Sequence, residues 1–240
     1  MIVSIMQPAY LPWLGYFDRM ARSDLVVTLD HVRLDWNSPT QFTNRNKIRT
    51  KDGWMWLTLP IRKKSSPGLI INELEINGAY WIRNHFKSLE QCYRRSTHWE
   101  KYLPWINTIF RQSGDESSFE ETLSGCINFV TSTLANCLGV SRSIQYSSDM
   151  GITKTKSELV LEICQKVGAT EYLSGPFGRT YLDLGLFEAA GIKVKFHDYQ
   201  HPTYSQVYPD FEPYMSVLDL MFNHGPDSLK ILTGGDYTYG

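Results

Sequence analysis

Ile2-Val3-Ser4-Ile5-Met6-Gln7-Pro8-Ala9-Tyr10-Leu11-Pro12-Trp13-Leu14-Gly15-Tyr16-Phe17-Asp18-Arg19-Met20-Ala21-Arg22-Ser23-Asp24-Leu25-Val26-Val27-Thr28-Leu29 carries the pattern that sets the fold. Residues 2–6 are a short apolar run closed by Pro8, and 25–29 are a second. Unbroken apolar runs of this length suit strands covered on both faces, as in a parallel sheet. Between them, 14–21 reads as a helix, with Leu14, Phe17, Met20 and Ala21 on one face. Strand, loop, helix and strand within thirty residues make a βαβ unit with a right-handed crossover.

Moving outward, Trp54, Trp56 and Thr58 alternate with Met55, Leu57 and Leu59 up to Pro60, the two-residue period of a strand. A further strand is expected over 70–76, after the turn-like Ser65-Ser66-Pro67-Gly68. Helical patterns follow over 79–95, 99–112 and 117–138. The last carries Phe119, Leu123, Ile127, Val130, Leu134 and Leu138 at helical spacing and stops at Gly139. Strands then return at 144–146, 171–174 and 192–197, separated by helices at 155–167 and 181–190, with one more helix at 214–224. The expectation is an α/β chain: a Rossmann-like, mostly parallel sheet with a helical insertion. Residues 1–78 form its N-terminal half with a β-hairpin-like excursion, 79–140 the insertion and 141–240 the C-terminal half. In such folds the ligand crevice lies beyond the carboxyl ends of the strands.

Composition agrees. The 240 residues are 42% hydrophobic, 13% aromatic and 20% charged, which excludes a disordered, collagen-like or coiled-coil chain. A chain this long forms one or two domains and buries roughly 70% of its unfolded surface, so it needs no disulfide or metal to hold a core. Lys and Arg number 24 against 25 Asp and Glu, a net charge of -1, so there is no global basic excess of the kind nucleic-acid binders show. No run reaches the ~20 apolar residues of a membrane span, and the N-terminus lacks a signal peptide's basic region and cleavage site. Cys92, Cys126, Cys137 and Cys164 form no CxxC pair, which favours buried apolar thiols over zinc and places the protein in the cytoplasm.

Several constellations can carry chemistry. In the loop after the first strand, two prolines fix the backbone; Gln7 and Tyr10 offer hydrogen bonds and Trp13 and Tyr16 stacking faces, unless this is simply a packed proline-aromatic turn. Asp30-His31 follows the second strand, where His31 can serve as a general base or as an ordinary structural histidine. Asn44-Arg45-Asn46-Lys47-Ile48-Arg49 offers Arg45 and Lys47 to a phosphate or carboxylate, and Trp36, Phe42 and Trp54 beside it suit sugar or base stacking. The alternative is a solvated turn. Ser174-Gly175-Pro176-Phe177-Gly178-Arg179-Thr180-Tyr181-Leu182-Asp183 leads from a strand into a helix, a layout that exposes backbone N–H groups to an anion, with Lys154 and Lys156 nearby to add charge. His197 and His201 stand four apart, but Pro202 argues against the helix a metal site would need, so no metal is expected. Neither GxGxxG nor GxxxxGK[ST] is present, and the HxGH of nucleotidyltransferases is missing from the first loop.

Together these residues resemble the WbqC-like family of bacterial proteins. The resemblance is carried by Met6-Gln7-Pro8 through Gly15-Tyr16-Phe17, by Asn44-Arg45-Asn46 ahead of the 54–60 strand, and by Tyr172-Leu173-Ser174-Gly175. It recurs from Phe211 and Pro213 into Ser216-Val217-Leu218-Asp219-Leu220-Met221-Phe222-Asn223-His224-Gly225, and so covers nearly the whole chain; Tyr214-Met215 stands where Asn-Leu is usual. The resemblance implies a place in O-antigen or other surface-polysaccharide synthesis, with an acyl or aminoacyl group such as glycyl attached to a sugar amine. In that scheme His31 or Asp30 takes the amine proton, Arg45 and Lys47 hold phosphate, and the 174–178 turn supplies backbone donors. The acceptor is a nucleotide-linked amino sugar, and the donor side is open between acyl-CoA, aminoacyl-tRNA (which the net charge does not support) and ATP with a free acid. A nucleotidyltransferase or adenylate-forming ligase and a non-catalytic sugar-nucleotide binding protein are the alternatives. The aromatic content leaves room for a homodimer.

Overall fold

The computed structural model describes residues 1–35, 42–110 and 122–235. Trp36, Phe119 and the 117–121 part of an expected helix lie outside the described residues. The chain begins with β1 (Ile2–Met6), α1 (Leu14–Ala21) and β2 (Leu25–Thr28), the βαβ unit the sequence predicts. A hairpin of β3 (Arg45–Thr50) and β4 (Gly53–Thr58) and a two-residue pairing of β5 (Ile61–Arg62) with β6 (Glu75–Ile76) come next. Helices α2 (Tyr80–Tyr93), α3 (Trp99–Ile109) and α4 (Leu123–Leu138) follow. The sheet resumes with β7 (Ser143–Tyr146), α5 (Lys156–Lys166), β8 (Glu171–Ser174), α6 (Leu184–Ala189) and β9 (Lys193–Phe196), and the described chain closes with α7 (Val217–His224) and α8 (Ser228–Thr233).

The main sheet has the order β7-β2-β1-β8-β9, and every pairing in it is parallel. Counted along the chain that is 3-2-1-4-5, the doubly wound Rossmann-like arrangement, in which the winding reverses between β1 and β8. Alternate residues divide the interior. Val3, Ile5, Leu25 and Val27 pack with Leu159, Val160, Ile163 and Phe187 of α5 and α6. Met6 and Val26 point the other way, into a larger core with Leu14, Phe17 and Met20 of α1. Both faces of β1 and β2 are therefore dry, which is why these strands read as unbroken apolar runs. Ser4 is the polar exception, and it donates to the Leu173 carbonyl at 3.2 Å while accepting from Ser23 Oγ at 2.7 Å.

Helices α2–α4 share that larger core with α1, the hairpin, α7 and α8; Phe222 of α7 lies 4.9 Å from the Tyr93 ring of α2 and 5.1 Å from the Trp99 ring of α3. Helix α4 is capped at its start by Thr122 Oγ1, which accepts from the Gly125 amide at 3.2 Å, and ends at Gly139 with φ 79°, a left-handed position that glycine takes freely.

Three segments depart from expectation. Residues 45–50, read as a polar stretch, form β3, because Asn46 and Ile48 point inward while Arg45 and Lys47 face out. The strand expected over 70–76 is mostly a 3₁₀ turn at Ile71–Glu73 tied to the 32–34 segment, leaving a strand only at Glu75–Ile76. Helix α6 starts at Leu184 rather than 181, since Pro176–Thr180 takes a 3₁₀ turn and Asp183 Oδ1 caps the helix through the Gly185 amide at 3.1 Å.

Candidate functional site

The carboxyl ends of β2 and β7 lie side by side, so Asp30 meets the turn Ser147–Met150. Asp30 is buried and accepts from Ser147 Oγ at 3.1 Å, from the Ser148 amide at 2.9 Å and from Ser148 Oγ at 2.9 Å. His31 Nδ1 lies 2.6 Å from Ser147 Oγ. A carboxylate only accepts hydrogen bonds, so the serine proton points to Asp30 and the serine oxygen accepts from the imidazole. That fixes the proton on Nδ1 and leaves the lone pair of His31 on Nε2. Burial lowers the His31 pKa, with Asp30 and Glu162 opposing it, and the ring is neutral at pH 7.

Beside Asp30 opens a cavity of about 540 Å³ whose wall includes Asn72, Ser124, Asn128, Phe129 and Tyr146. Ser124 and Asn128 stand one turn apart at the start of α4 and are joined by a hydrogen bond of 3.3 Å. Asn72 Oδ1 is buried with no hydrogen-bond partner among the described residues. Carboxylate, amide and hydroxyl groups beside the rings of Phe129 and Tyr146 form a lining that can hold a polyhydroxylated molecule of sugar size. His31 is not part of this wall.

Tyr16 of α1 is buried, and that burial pushes its pKa up to about 12, with Arg19 pulling it down and Tyr146 adding to the rise. From Tyr16 a ladder of rings runs outward: Trp13 at 5.7 Å, then Phe42 at 5.2 Å, Trp56 at 6.1 Å and Trp54 at 5.5 Å. Arg45 stacks over Trp56 at 4.5 Å and Lys47 over Trp54 at 4.0 Å on the outward face of the hairpin. The hairpin is fastened to the first loop by Asn46 Nδ2 donating to the Leu11 carbonyl at 2.8 Å.

The residues singled out from the sequence divide accordingly. Asp30 lines the cavity; Tyr16 and Trp13 begin the ladder of rings, outside the cavity wall; Arg45 and Lys47 occupy the ladder's outer end. Gln7 is exposed. Tyr10 is corrected from ligand contact to core, because it is fully buried and its hydroxyl lies 2.9 Å from His85 Nδ1. Asn44 is likewise buried and ties the hairpin through the Leu59 carbonyl at 2.9 Å. Ser174 is buried, and its hydroxyl donates to the Gly175 carbonyl at 3.1 Å. The 174–178 turn does not offer the Gly178 amide as a free donor, because that amide bonds internally to the Gly175 carbonyl at 3.0 Å. A Cβ on Gly178 would lie 2.0 Å from Ser174 Oγ, so close packing is what this glycine serves. Tyr181 is exposed, Asp183 caps α6, and Lys154 is an exposed residue whose amide bonds Glu162 at 3.0 Å. His201 Nε2 accepts from the Tyr214 amide at 3.2 Å.

Sequence reading missed Asn72, Ser124, Asn128, Phe129 and Tyr146, which come from three segments far apart along the chain. It also missed a cluster on α1. Buried Asp18 accepts from His197 Nε2 at 2.5 Å and from Arg22 Nε at 2.9 Å. Burial of Asp18 raises its pKa, but the hydrogen bonds from His197 and Arg22 outweigh it and hold the carboxyl below its usual value.

This is a Rossmann-like α/β protein with a polar cavity at the carboxyl ends of β2 and β7. The chain belongs to the WbqC-like protein family, whose model matches residues 7–231. The uncharacterized protein Rv1507c of Mycobacterium tuberculosis is 33% identical over 235 residues, covering 95% of this chain and 97% of its own. No solved structure matches the chain. Among the described residues no helix is long and apolar enough to cross a membrane.

Proposed function

We propose that the protein forms an amide on a nucleotide-linked amino sugar, joining an acyl or aminoacyl group such as glycyl to the sugar amine during surface-polysaccharide synthesis. The observation that carries this reading is the cavity beside Asp30, whose carboxylate, amides and hydroxyls around Phe129 suit a sugar ring. The amine nitrogen attacks the activated carbonyl carbon, the N–C bond forms and the bond to the leaving group breaks. In this reading the amine proton passes to a base, either Asp30 on the wall or the Nε2 lone pair of neighbouring His31.

The test is to incubate the purified protein with a panel of nucleotide-linked amino sugars and, in turn, acyl-CoA, ATP with free glycine, or glycyl-tRNA. Mass spectrometry should find the sugar nucleotide heavier by one acyl or glycyl group. A second reading, a non-catalytic sugar-nucleotide binding protein, is favoured by the three donors that already hold Asp30. Calorimetric binding with no mass change in any donor mixture would select it, and pyrophosphate release from ATP or CTP alone would point to a nucleotidyltransferase or ligase.

A further inference from the structure

We infer that Arg19 is the seat of a phosphoryl group, an anion site at the switch point between β1 and β8. The inference rests on the proposed function for the choice of a nucleoside diphosphate as ligand. Helix α1 starts just beyond the carboxyl end of β1, and helical side chains lean toward their own N-terminus. The Arg19 side chain thus reaches back to the strand ends and lies against Gly175, the residue after β8. A Cβ on Gly175 would come within 2.5 Å of Arg19 Nη1. With glycine at 175 the guanidinium sits against the backbone; an alanine there would push it aside.

The cation has no counter-charge in the protein. Its electrostatic neighbours are the phenols of Tyr172, Tyr16 and Tyr181, and among the described residues no carboxylate or hydrogen-bond acceptor holds it. The other arginines that thread the interior are engaged. Arg22 is held by Asp18 and the Thr233 carbonyl at 3.1 Å, and Arg49 donates to the carbonyls of Thr50, Gly53, Pro209 and Asp210. Asp18, next along the helix, is already occupied by Arg22 and His197. Arg19 is half-buried, and that burial lowers its pKa. A guanidinium with no counter-charge beside it, at the ends of the strands, is open to pairing with an anion from solution. The planar guanidinium fork matches two oxygens of a phosphate, and the switch point is where open α/β sheets receive ligands.

Isothermal titration of the full-length chain with inorganic pyrophosphate and with UDP, using uridine as the uncharged control, tests the assignment. The wild type should bind both anions, and R19M should weaken both at least about tenfold. R179M, which removes an exposed arginine paired to Asp198, should leave binding unchanged. G175A should mimic R19M by displacing the guanidinium. In the absence of ligand R19M should melt no lower than wild type, because it deletes an uncompensated charge; a fall in Tm of several degrees would mark Arg19 as structural. Pyrophosphate and UDP both failing to bind the wild type, or R19M binding them equally well, overturns the anion site. Pyrophosphate binding lost in R19M but with no acyl transfer in any mixture would leave the site standing and remove the transferase.

Discussion

Tyr10 Oη lies 2.9 Å from Nδ1 of His85, deep beneath the Trp81 ring, whose centroid is 5.3 Å from the imidazole. The pair joins the first loop to α2 and makes the stability of the protein depend on pH. Burial presses the His85 pKa from 6.5 down to about 4, against a smaller upward pull from the Thr58 carbonyl. The folded pKa is below the unfolded one, so the unfolded chain takes up the proton first as pH falls. Stability present above pH 6.5 is therefore lost between 6.5 and about 4, and levels off below. A shift of this size is worth about 3 kcal/mol. Urea titrations at several pH values should show that fall, and H85Q should flatten it over this window while lowering stability at pH 7.

Removing the other partner tests the same bond at a fixed pH. Y10F leaves His85 Nδ1 buried without its donor, which costs about 1–2 kcal/mol. Thermal melts at pH 7 check this, and a variant as stable as wild type would show that the hydroxyl carries nothing. Because Tyr10 is fully buried, ligand binding should be untouched by Y10F.

Gly15 offers a case where two effects compete. Alanine is the better helix former by about 1 kcal/mol, and Gly15 lies inside α1. A Cβ there, however, would stand 2.7 Å from Cδ1 of Tyr199 and 3.0 Å from its Cγ. The ring is stacked on His197 at 5.7 Å, and moving it disturbs the bond from His197 to Asp18. Overpacking of this kind costs roughly 1–3 kcal/mol, so the clash wins and G15A should melt several degrees lower. A higher Tm would mean that the Tyr199 ring moves aside freely.

The sheet was legible because β1 and β2 are covered on both faces, and that leaves a one-dimensional trace of unbroken apolar residues. Local caps such as Gly139 are readable for the same reason. The site was not. Asp30 announces itself by following a strand, but Asn72, Ser124, Asn128 and Tyr146 meet it only through the tertiary path of four segments. Arg19 was overlooked because an amphipathic helix is read by its apolar stripe, and a cation off that stripe looks solvated until β8 folds Gly175 against it. Tyr10 failed in the opposite sense: a polar aromatic in a promising loop turned inward because α2 supplied it with a histidine.

The hydrogen-bond chain from Asp30 through Ser147 to His31 carries the last prediction, which concerns turnover once an acyl acceptor is in hand. With the Nδ1 proton held by Ser147 Oγ at 2.6 Å, His31 presents Nε2 as a base. Its pKa lies below 6.5 because burial disfavours the cation, so the working neutral form persists as the medium turns mildly acidic. The rate should therefore stay level from pH 8 to below 6.5 before declining. H31A should lower kcat by on the order of 10² or more and abolish the acid limb, whereas S147A, which frees the tautomer but keeps the ring, should cost less and leave the limb in place. D30N keeps the shape of the carboxylate but turns one acceptor into a donor facing Ser147 or Ser148, and should slow turnover whichever group takes the proton. If H31A turns over like wild type while D30N is inactive, the proton goes to Asp30, and His31 serves only to hold Ser147 in place.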